Sequence, residues 1–416
     1  MELKRVVVTG MGTVNPIGNS VDEFFGNLDA GVSGAGPITR FDASLFKTKF
    51  ACEVKDFDPI DFGIDLKTSR KQDRFSRFAL AAAIQAVNDS GLDMGNEDKS
   101  RMGVVVGSGI GGLESLNGEI MGYCESGKNP RYSPSLIPKM IINIASGWIA
   151  IRFGCSGPNY ATASACASSI HAISDSFNLI RLGKADVMIT GGSEAPIAEP
   201  GVSGFNSSQA LSTRNDDPAG ACRPFDAGRD GFVMGEGAGI FVLEEMEHAL
   251  KRGARIYAEV AGAGMTCDAY HITAPEPGGD GAIRVMKLAL EDAGMTPSDI
   301  DYVNAHGTST PLGDISELKA VQAVFGKAAY DLNISSTKSM HGHLLGGSGA
   351  VESLACIHAI KDGIIPPTIN FHEEDPNIDY KLNLTLNVAQ KREVRAAMKN
   401  SFGFGGHNAC IIYKKF

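Results

Sequence analysis

Two textures of apolar residues alternate along this 416-residue chain. Short runs are apolar throughout, and longer stretches place apolar residues every three or four positions. The first texture reads as strands buried on both faces and the second as amphipathic helices. Residues 5–12 (RVVVTGMG) predict a buried strand ending in a glycine turn, 21–28 a short helix and 31–37 a loop. An alanine-rich helix is predicted over 75–87, and 103–112 reads as a strand and then G-S-G-I-G-G. Ile170, Ile173, Phe177 and Ile180 mark a further helix, 185–192 and 237–243 two more strands, and 213–229 a loop. After a junction at 251–254 the order starts over: strand 256–263, helix 280–293, strand 301–305, helix 315–325. An extended segment at 333–337, a small-residue helix over 344–360 and a strand at 409–413 complete it. The pattern predicts an α/β architecture with buried, largely parallel sheets, divided into halves at 1–254 and 255–416.

Composition narrows the class. Hydrophobic residues make up 43% and charged residues 21%, enough for a sizeable core, and the 50 glycines imply many tight turns. A net charge of −10 argues against general nucleic-acid binding. The eight cysteines form no C-x-x-C pair, so neither a disulfide framework nor a zinc cage is expected and a reducing, cytoplasmic setting fits. A strand starting near Met1 leaves no room for a signal peptide, and no apolar stretch has the length of a membrane span.

Candidate chemistry begins at 161–170, A-T-A-S-A-C-A-S-S-I. Cys166 lies between a Gly/Pro break (Gly154, Gly157, Pro158) and the start of a helix. Unpaired N–H groups at a helix N-terminus favour an anion, so the thiol pKa is expected to fall. Gly107, Gly109 and Gly112 formally satisfy G-x-G-x-x-G, but the breaks beyond Glu114 predict a flexible wall in place of a dinucleotide unit. Three later stretches supply partners for a thiol. N-A-H-G-T-S-T-P carries His306, S-T-K-S-M-H-G-H-L-L-G carries Lys338 and His343, and N-S-F-G-F-G-G-H-N closes the chain. A thiol, two histidines and a lysine among glycine-rich loops suit acyl transfer. The competing metal reading, through His341, His343 and His407, lacks neighbouring Cys or carboxylate ligands and is set aside.

In order and spacing, the four motifs resemble those of the β-ketoacyl synthases, over essentially the whole chain. The resemblance is greatest to the elongating synthases II of type II fatty acid synthesis. It implies a thiolase-like fold, two pseudo-symmetric halves in a five-layer αβαβα arrangement, working as a homodimer. It implies that Cys166 takes an acyl chain from acyl-carrier protein, with the N–H groups of Cys166 and Phe404 as oxyanion hole. His306 and His343 then assist decarboxylation of malonyl-carrier protein, and Lys338, paired with Glu317, polarises the histidines. Phe404 is the implied gate, with Phe402 beside it. Thr308 and Thr310 are implied to hold the phosphopantetheine arm, Ile110 and Phe205 the acyl pocket. Lys67, Arg70 and Lys71 match a patch that docks the acidic carrier. No cofactor and no metal are expected, and a structural monovalent cation in the second half is left open.

The sequence departs from that pattern at His341 and His407, at Gly347–Ser348 and at Gln209, which replaces a docking arginine. These departures bear on substrate preference and docking. A polyketide or aryl-polyene ketosynthase would keep the same four motifs and is the alternative reading.

Overall fold

A computed structural model describes residues 3–416. Ten strands form one sheet: β1 (Val6–Val14), β2 (Met102–Gly107), β3 (Asn159–Tyr160), β4 (Val187–Glu194), β5 (Gly237–Glu245), β6 (Ala258–Cys267), β7 (Tyr302–Asn304), β8 (Asn333–Ser335), β9 (Ala396–Gly403) and β10 (His407–Lys414). Their spatial order is β8-β7-β9-β10-β6-β1-β5-β4-β2-β3. Counted outward from the central β1–β6 pair, both halves place their first, fifth, fourth, second and third strands in that order. The pairing directions match as well. In each half the first strand runs antiparallel to the fifth and the fifth to the fourth, after which the pairings are parallel.

The repeat that side-chain identity leaves invisible is therefore plain in topology. The sheets are mixed, not largely parallel as the sequence pattern predicts. The last strand of each half returns between the first and fourth and runs antiparallel to both.

Strand alternation sorts side chains into three cores. On β2, Val104 and Val106 face an outer core while Val105 faces the centre. On β10, Ala409 and Ile411 face the centre while Cys410 and Ile412 face the other outer core. Helix α1 (Val21–Asp29) borders the central core, and α2 (Arg74–Ser90) covers the first outer face with α3 (Leu113–Glu125) and α4 (Ile144–Phe153) nearby. Asp73 caps α2 by accepting from the Phe75 N–H, and Gly91 ends it at φ 64°.

Helix α5 (Ser168–Arg181) and, after α6 (Glu199–Ser207), α9 (Ser348–Asp362) occupy the centre and touch strands of both halves. Between them in sequence, α7 (Asp280–Ala293) and α8 (Pro311–Phe325) cover the second outer face. The result is five layers, helix, sheet, helix, sheet, helix, the two sheet layers being the five-stranded halves joined along the β1–β6 pair.

Small residues let the central layer close. A Cβ on Gly349 would lie 2.6 Å from Ile170 Cγ1, and one on Gly239 would lie 2.8 Å from the Ala350 backbone. The junction expected at 254/255 falls between the short helix Met246–Lys251 and β6.

Two element expectations are corrected. Helix α3 opens directly after Gly112, so the 109–125 region is not a flexible wall. The helix predicted over 344–360 begins only at Ser348, because Leu345, at φ 46°, and a 3-10 turn over Leu345–Gly347 precede it.

Candidate active site

Cys166, the candidate nucleophile, sits in a forced turn. Ala165 adopts φ 49°, Cys166 follows, and Ser168 opens α5 while its Oγ donates to the Ala165 carbonyl at 2.6 Å. Gly107 at the end of β2 admits this turn, since a Cβ there would meet the Ser168 backbone at 2.4 Å. The Cys166 Sγ lies 3.0 Å from His343 Nε2, and His343 Nδ1 lies 2.8 Å from Ser348 Oγ. The His306 ring stands nearly perpendicular to that of His343, with centroids 5.4 Å apart. Ligating atoms of Cys166, His306 and His343 all fall within 4.8 Å of one another. Both central helices thus aim their N-terminal ends at one spot, α5 through Cys166 and α9 through Ser348.

The expected fall in the Cys166 pKa is not found. Burial pushes the thiol up to about 12, against Lys338 and the Phe404 N–H, which favour the anion. Burial, with the Lys338 charge next, holds both His306 and His343 well below the usual imidazole range. Both shifts favour a neutral thiol against a neutral imidazole.

Glu317, on α8, is corrected in partner. Its carboxylate accepts from the backbone N–H groups of His306 and Gly307, each at 2.8 Å, and so braces the loop that carries His306. Lys338 is buried, and its Nζ pairs with Glu352 Oε1 on α9 at 2.5 Å. Glu352 also binds Lys399 on β9 at 2.6 Å.

These groups open into a cavity of about 560 Å³ lined by Ile110, Phe205, Thr308, Thr310, Phe402 and Phe404 among others. Phe402 sets its ring edge-on to His306, and the partly exposed Phe404 ring reaches toward Phe205. Gly403 cannot carry a side chain, because its Cβ would lie 2.8 Å from the Ser164 carbonyl and 3.1 Å from the Cys166 N. Gly405 and Gly406 take φ 90° and 74°, giving the Phe404 loop its freedom. Thr310 occupies the N-cap position of α8 without capping it, and its hydroxyl lies 3.0 Å from that of Thr308. Both threonine side chains line the cavity.

The G-S-G-I-G-G loop is already saturated. Glu194 accepts from the N–H groups of Gly109, Ile110 and Gly111, from Ser108 Oγ, and from Gly346 N across the molecule. An anion cradle filled by the chain's own carboxylate does not serve a pyrophosphate.

Sequence models for the β-ketoacyl synthase N-terminal domain and C-terminal domain match residues 3–249 and 257–372. The chain belongs to the β-ketoacyl synthase family. It is 50% identical to the 3-oxoacyl-[acyl-carrier-protein] synthase 2 of Synechocystis, over all of this chain and 99% of that one. The ishigamide ketosynthase/chain length factor superposes with a TM-score of 0.93 at 37% identity, full length on both sides. A type II polyketide ketosynthase, solved with its acyl-carrier protein and a hexaketide, gives 0.92 at 33%, again over both whole chains.

Within this synthase the departures find separate places. His341 is a buried structural group, its ring nitrogens against Gly342 O and Thr337 Oγ1, and burial lowers it to about 4. The ring of His407 packs against Gly405 under the Phe404 loop. The histidine trio of the metal reading does not converge, since only His343 faces Cys166. Gln209 is exposed at the cavity mouth at φ 57°. Lys67, Arg70 and Lys71 are exposed along one short turn, away from the reacting groups.

Sequence reasoning missed Glu194, Ser348 as a histidine partner, Glu352 and Lys399. An isolated acid inside the apolar run G-A-V-E-S-L-A-C, and a lysine inside A-A-M-K-N-S-F, were the available signals.

Proposed function

We propose that this synthase performs the decarboxylative Claisen condensation of fatty acid elongation. An acyl thioester on Cys166 joins malonyl-[acyl-carrier-protein] to give 3-oxoacyl-[acyl-carrier-protein] and CO2. The observation that carries the reading is the contact of Cys166 Sγ with His343 Nε2 beside His306, inside one mostly apolar cavity.

In acyl transfer the Cys166 proton passes to His343 Nε2 and on to the departing pantetheine sulfur as the new thioester forms. The N–H groups of Cys166 and Phe404 hold the oxyanion, each such donor contributing about 3 kcal/mol. In the second half, CO2 leaves while His306 and His343 donate to the malonyl thioester oxygen, where the charge gathers. The carbanion attacks the acyl carbonyl and Cys166 departs as a thiolate, which takes up from solvent the one proton the overall reaction consumes. Thr308 and Thr310 bind the phosphopantetheine arm, Ile110 and Phe205 bound the acyl chain, and Phe404 swings to admit it. No separate cofactor takes part in this scheme.

Acyl-carrier protein as partner is supported by the structural relative solved with its own carrier, and the exposed Lys67, Arg70 and Lys71 are its docking patch in this reading. A homodimer forms through the β3 edge, where Tyr160 and, nearby, Ile137, Ile141 and Ile151 expose apolar surface. All eight cysteines are free, which supports a cytoplasmic setting, and among the described residues no helix is long and apolar enough to cross a membrane. The 50% identity to an elongation synthase favours that pathway over a polyketide one.

Mass spectrometry after incubation with acyl-carrier proteins of several chain lengths tests the scheme. Acylation at Cys166, then a β-ketoacyl product on adding malonyl-carrier protein, is expected, and Cys166→Ala gives neither. A Cys166→Ala variant that still condenses overturns it.

A further inference from the structure

Beneath the histidines lies an ionic group that the condensation scheme does not use. Lys399 is fully buried on β9, and four oxygens meet its Nζ. They are Glu352 Oε2 at 2.6 Å, Ala305 O at 3.2 Å, Asn304 O at 3.4 Å, and Asn400 O. Two more buried side-chain oxygens in the same residues, Asn304 Oδ1 and Asn400 Oδ1, have no hydrogen-bond partner among the described residues. Backbone carbonyls converging with a carboxylate are the ligand set of a hard cation. The second half therefore holds an oxygen cage of the kind a structural monovalent cation would need. Here, however, the chain's own ammonium fills it, so a free ion does not fit.

We propose that Lys399 is a tethered internal cation, a positioning residue that takes the place of a bound monovalent ion beneath the reaction centre. Its role toward the histidines rests on the condensing-enzyme reading; its role in the cage does not. Glu352 is shared by two lysines, Lys338 at 2.5 Å and Lys399 at 2.6 Å, so the buried triad carries a net positive charge. Removing Glu352 would leave two uncompensated buried ammonium groups, whereas removing Lys399 leaves a balanced Lys338–Glu352 pair and takes the donor away from the oxygens it gathers. The carbonyls that Lys399 gathers belong to Asn304 and Ala305, the residues just before His306, and to Asn400, two before Phe402. One ammonium thus ties the His306 loop, the Phe402–Phe404 strand end and α9 together.

Its charge also bears on chemistry. Together with Lys338 it opposes protonation of His306 and of His343. Burial does most to favour each ring as a neutral N–H donor for the thioester oxygen, and the two ammonium groups add to it. A tether holds the charge in place whatever salt surrounds the protein.

The test compares thermal unfolding of the full chain in KCl, NaCl and NH4Cl with choline chloride at equal ionic strength. The unaltered protein is expected to show the same Tm in all four. Lys399→Ser empties the cage; its Tm drops in choline and recovers saturably with K+ or NH4+. At about 100 times the ion's dissociation constant the recovery is roughly 3 °C. Lys399→Met fills the space without charge, so its Tm drops and no ion restores it. Its acid limb for malonyl-thioester decarboxylation moves to higher pH, a shift that lost packing alone does not produce.

Specific, saturable stabilisation of the unaltered protein by K+ or NH4+ overturns the proposal. So does a Lys399→Met protein with unchanged Tm and pH profile. If Lys399→Ser does not fold, the unaltered protein and Lys399→Met decide. Failure of the condensing reading appears separately, as absent acylation of Cys166 in the unaltered protein, and leaves the unfolding arms standing.

Discussion

His343 stands between two partners that differ in what they allow. A hydroxyl both donates and accepts, so Ser348 accommodates either tautomer of the ring. With Nδ1–H donating to Ser348, Nε2 is free to take the Cys166 proton; with Ser348 donating to Nδ1, Nε2–H is free to bind the thioester oxygen. The two half-reactions need these two states in turn. Alanine supports neither, and Ser348→Ala is expected to slow acylation and decarboxylation about tenfold each, equivalent to about 1.4 kcal/mol. Single-turnover rates within twofold of the unaltered protein would remove Ser348 from the mechanism. The thiol itself supplies a pH test. Cys166 is an acid raised to about 12, so its reactive thiolate fraction grows with pH across the whole accessible range. Alkylation by iodoacetamide should accelerate about tenfold per unit from pH 7 to 10. A plateau below pH 8 would mean that the α5 N-terminus and Lys338 outweigh burial.

Elements meet at the site through buried carboxylates that no periodicity announces. Glu194 at the end of β4 gathers donors from the 108–111 loop and from Gly346, clamping the two loops that flank Cys166. Glu194→Gln would turn an amide NH2 toward N–H groups that need an acceptor. A loss of about 3 kcal/mol is expected, with slower acylation because the Cys166 turn loosens. Denaturant unfolding checks it, and an unchanged midpoint would show that the loop holds itself. The same carboxylate explains what the sequence could and could not disclose. Strands such as β2 and helices such as α2 were legible because burial imposes period and composition on them. Cys166, His306, Lys338 and His343 were legible because their motifs are local. Glu194 reaches Gly346 and Lys399 reaches Glu352, partners far removed in the chain. Only the fold brings such groups together. The Glu317 pairing failed for a related reason: α8 offers its acid to the nearby His306 backbone, while α9 places a different acid beside Lys338. Strand β9 was hidden too, its glycine-rich end reading as loop although Gly403 pairs with His407.

At the scale of the whole molecule, the repeated five-strand order explains why one site exists and where it lies. The pseudo-symmetry brings the first residues of α5 and α9 face to face, so one half supplies the thiol and the other the histidines. The same geometry leaves the cavity mouth to be found by a large acidic partner, and here the net charge of −10 works against approach. Long-range repulsion is screened within about 8 Å at physiological salt, so a local cluster of opposite sign decides the encounter. Lys67, Arg70 and Lys71 are such a cluster, exposed on one turn and without an ion-pair partner among the described residues, whereas nearby Arg74 is buried against Glu236. Reversing all three to glutamate is expected to lower kcat/KM for acyl-carrier protein at least about tenfold, through slower association. Alkylation of Cys166 by a small reagent and the unfolding midpoint should stay unchanged, because none of the three touches the cavity or the core. The salt dependence separates steering from a local fold defect. Acylation by the carrier should fall with added salt in the unaltered protein and become nearly flat in the triple variant. Equal salt slopes in both would place docking elsewhere, and the exposed Gln209 at the cavity mouth is then the surface to change next.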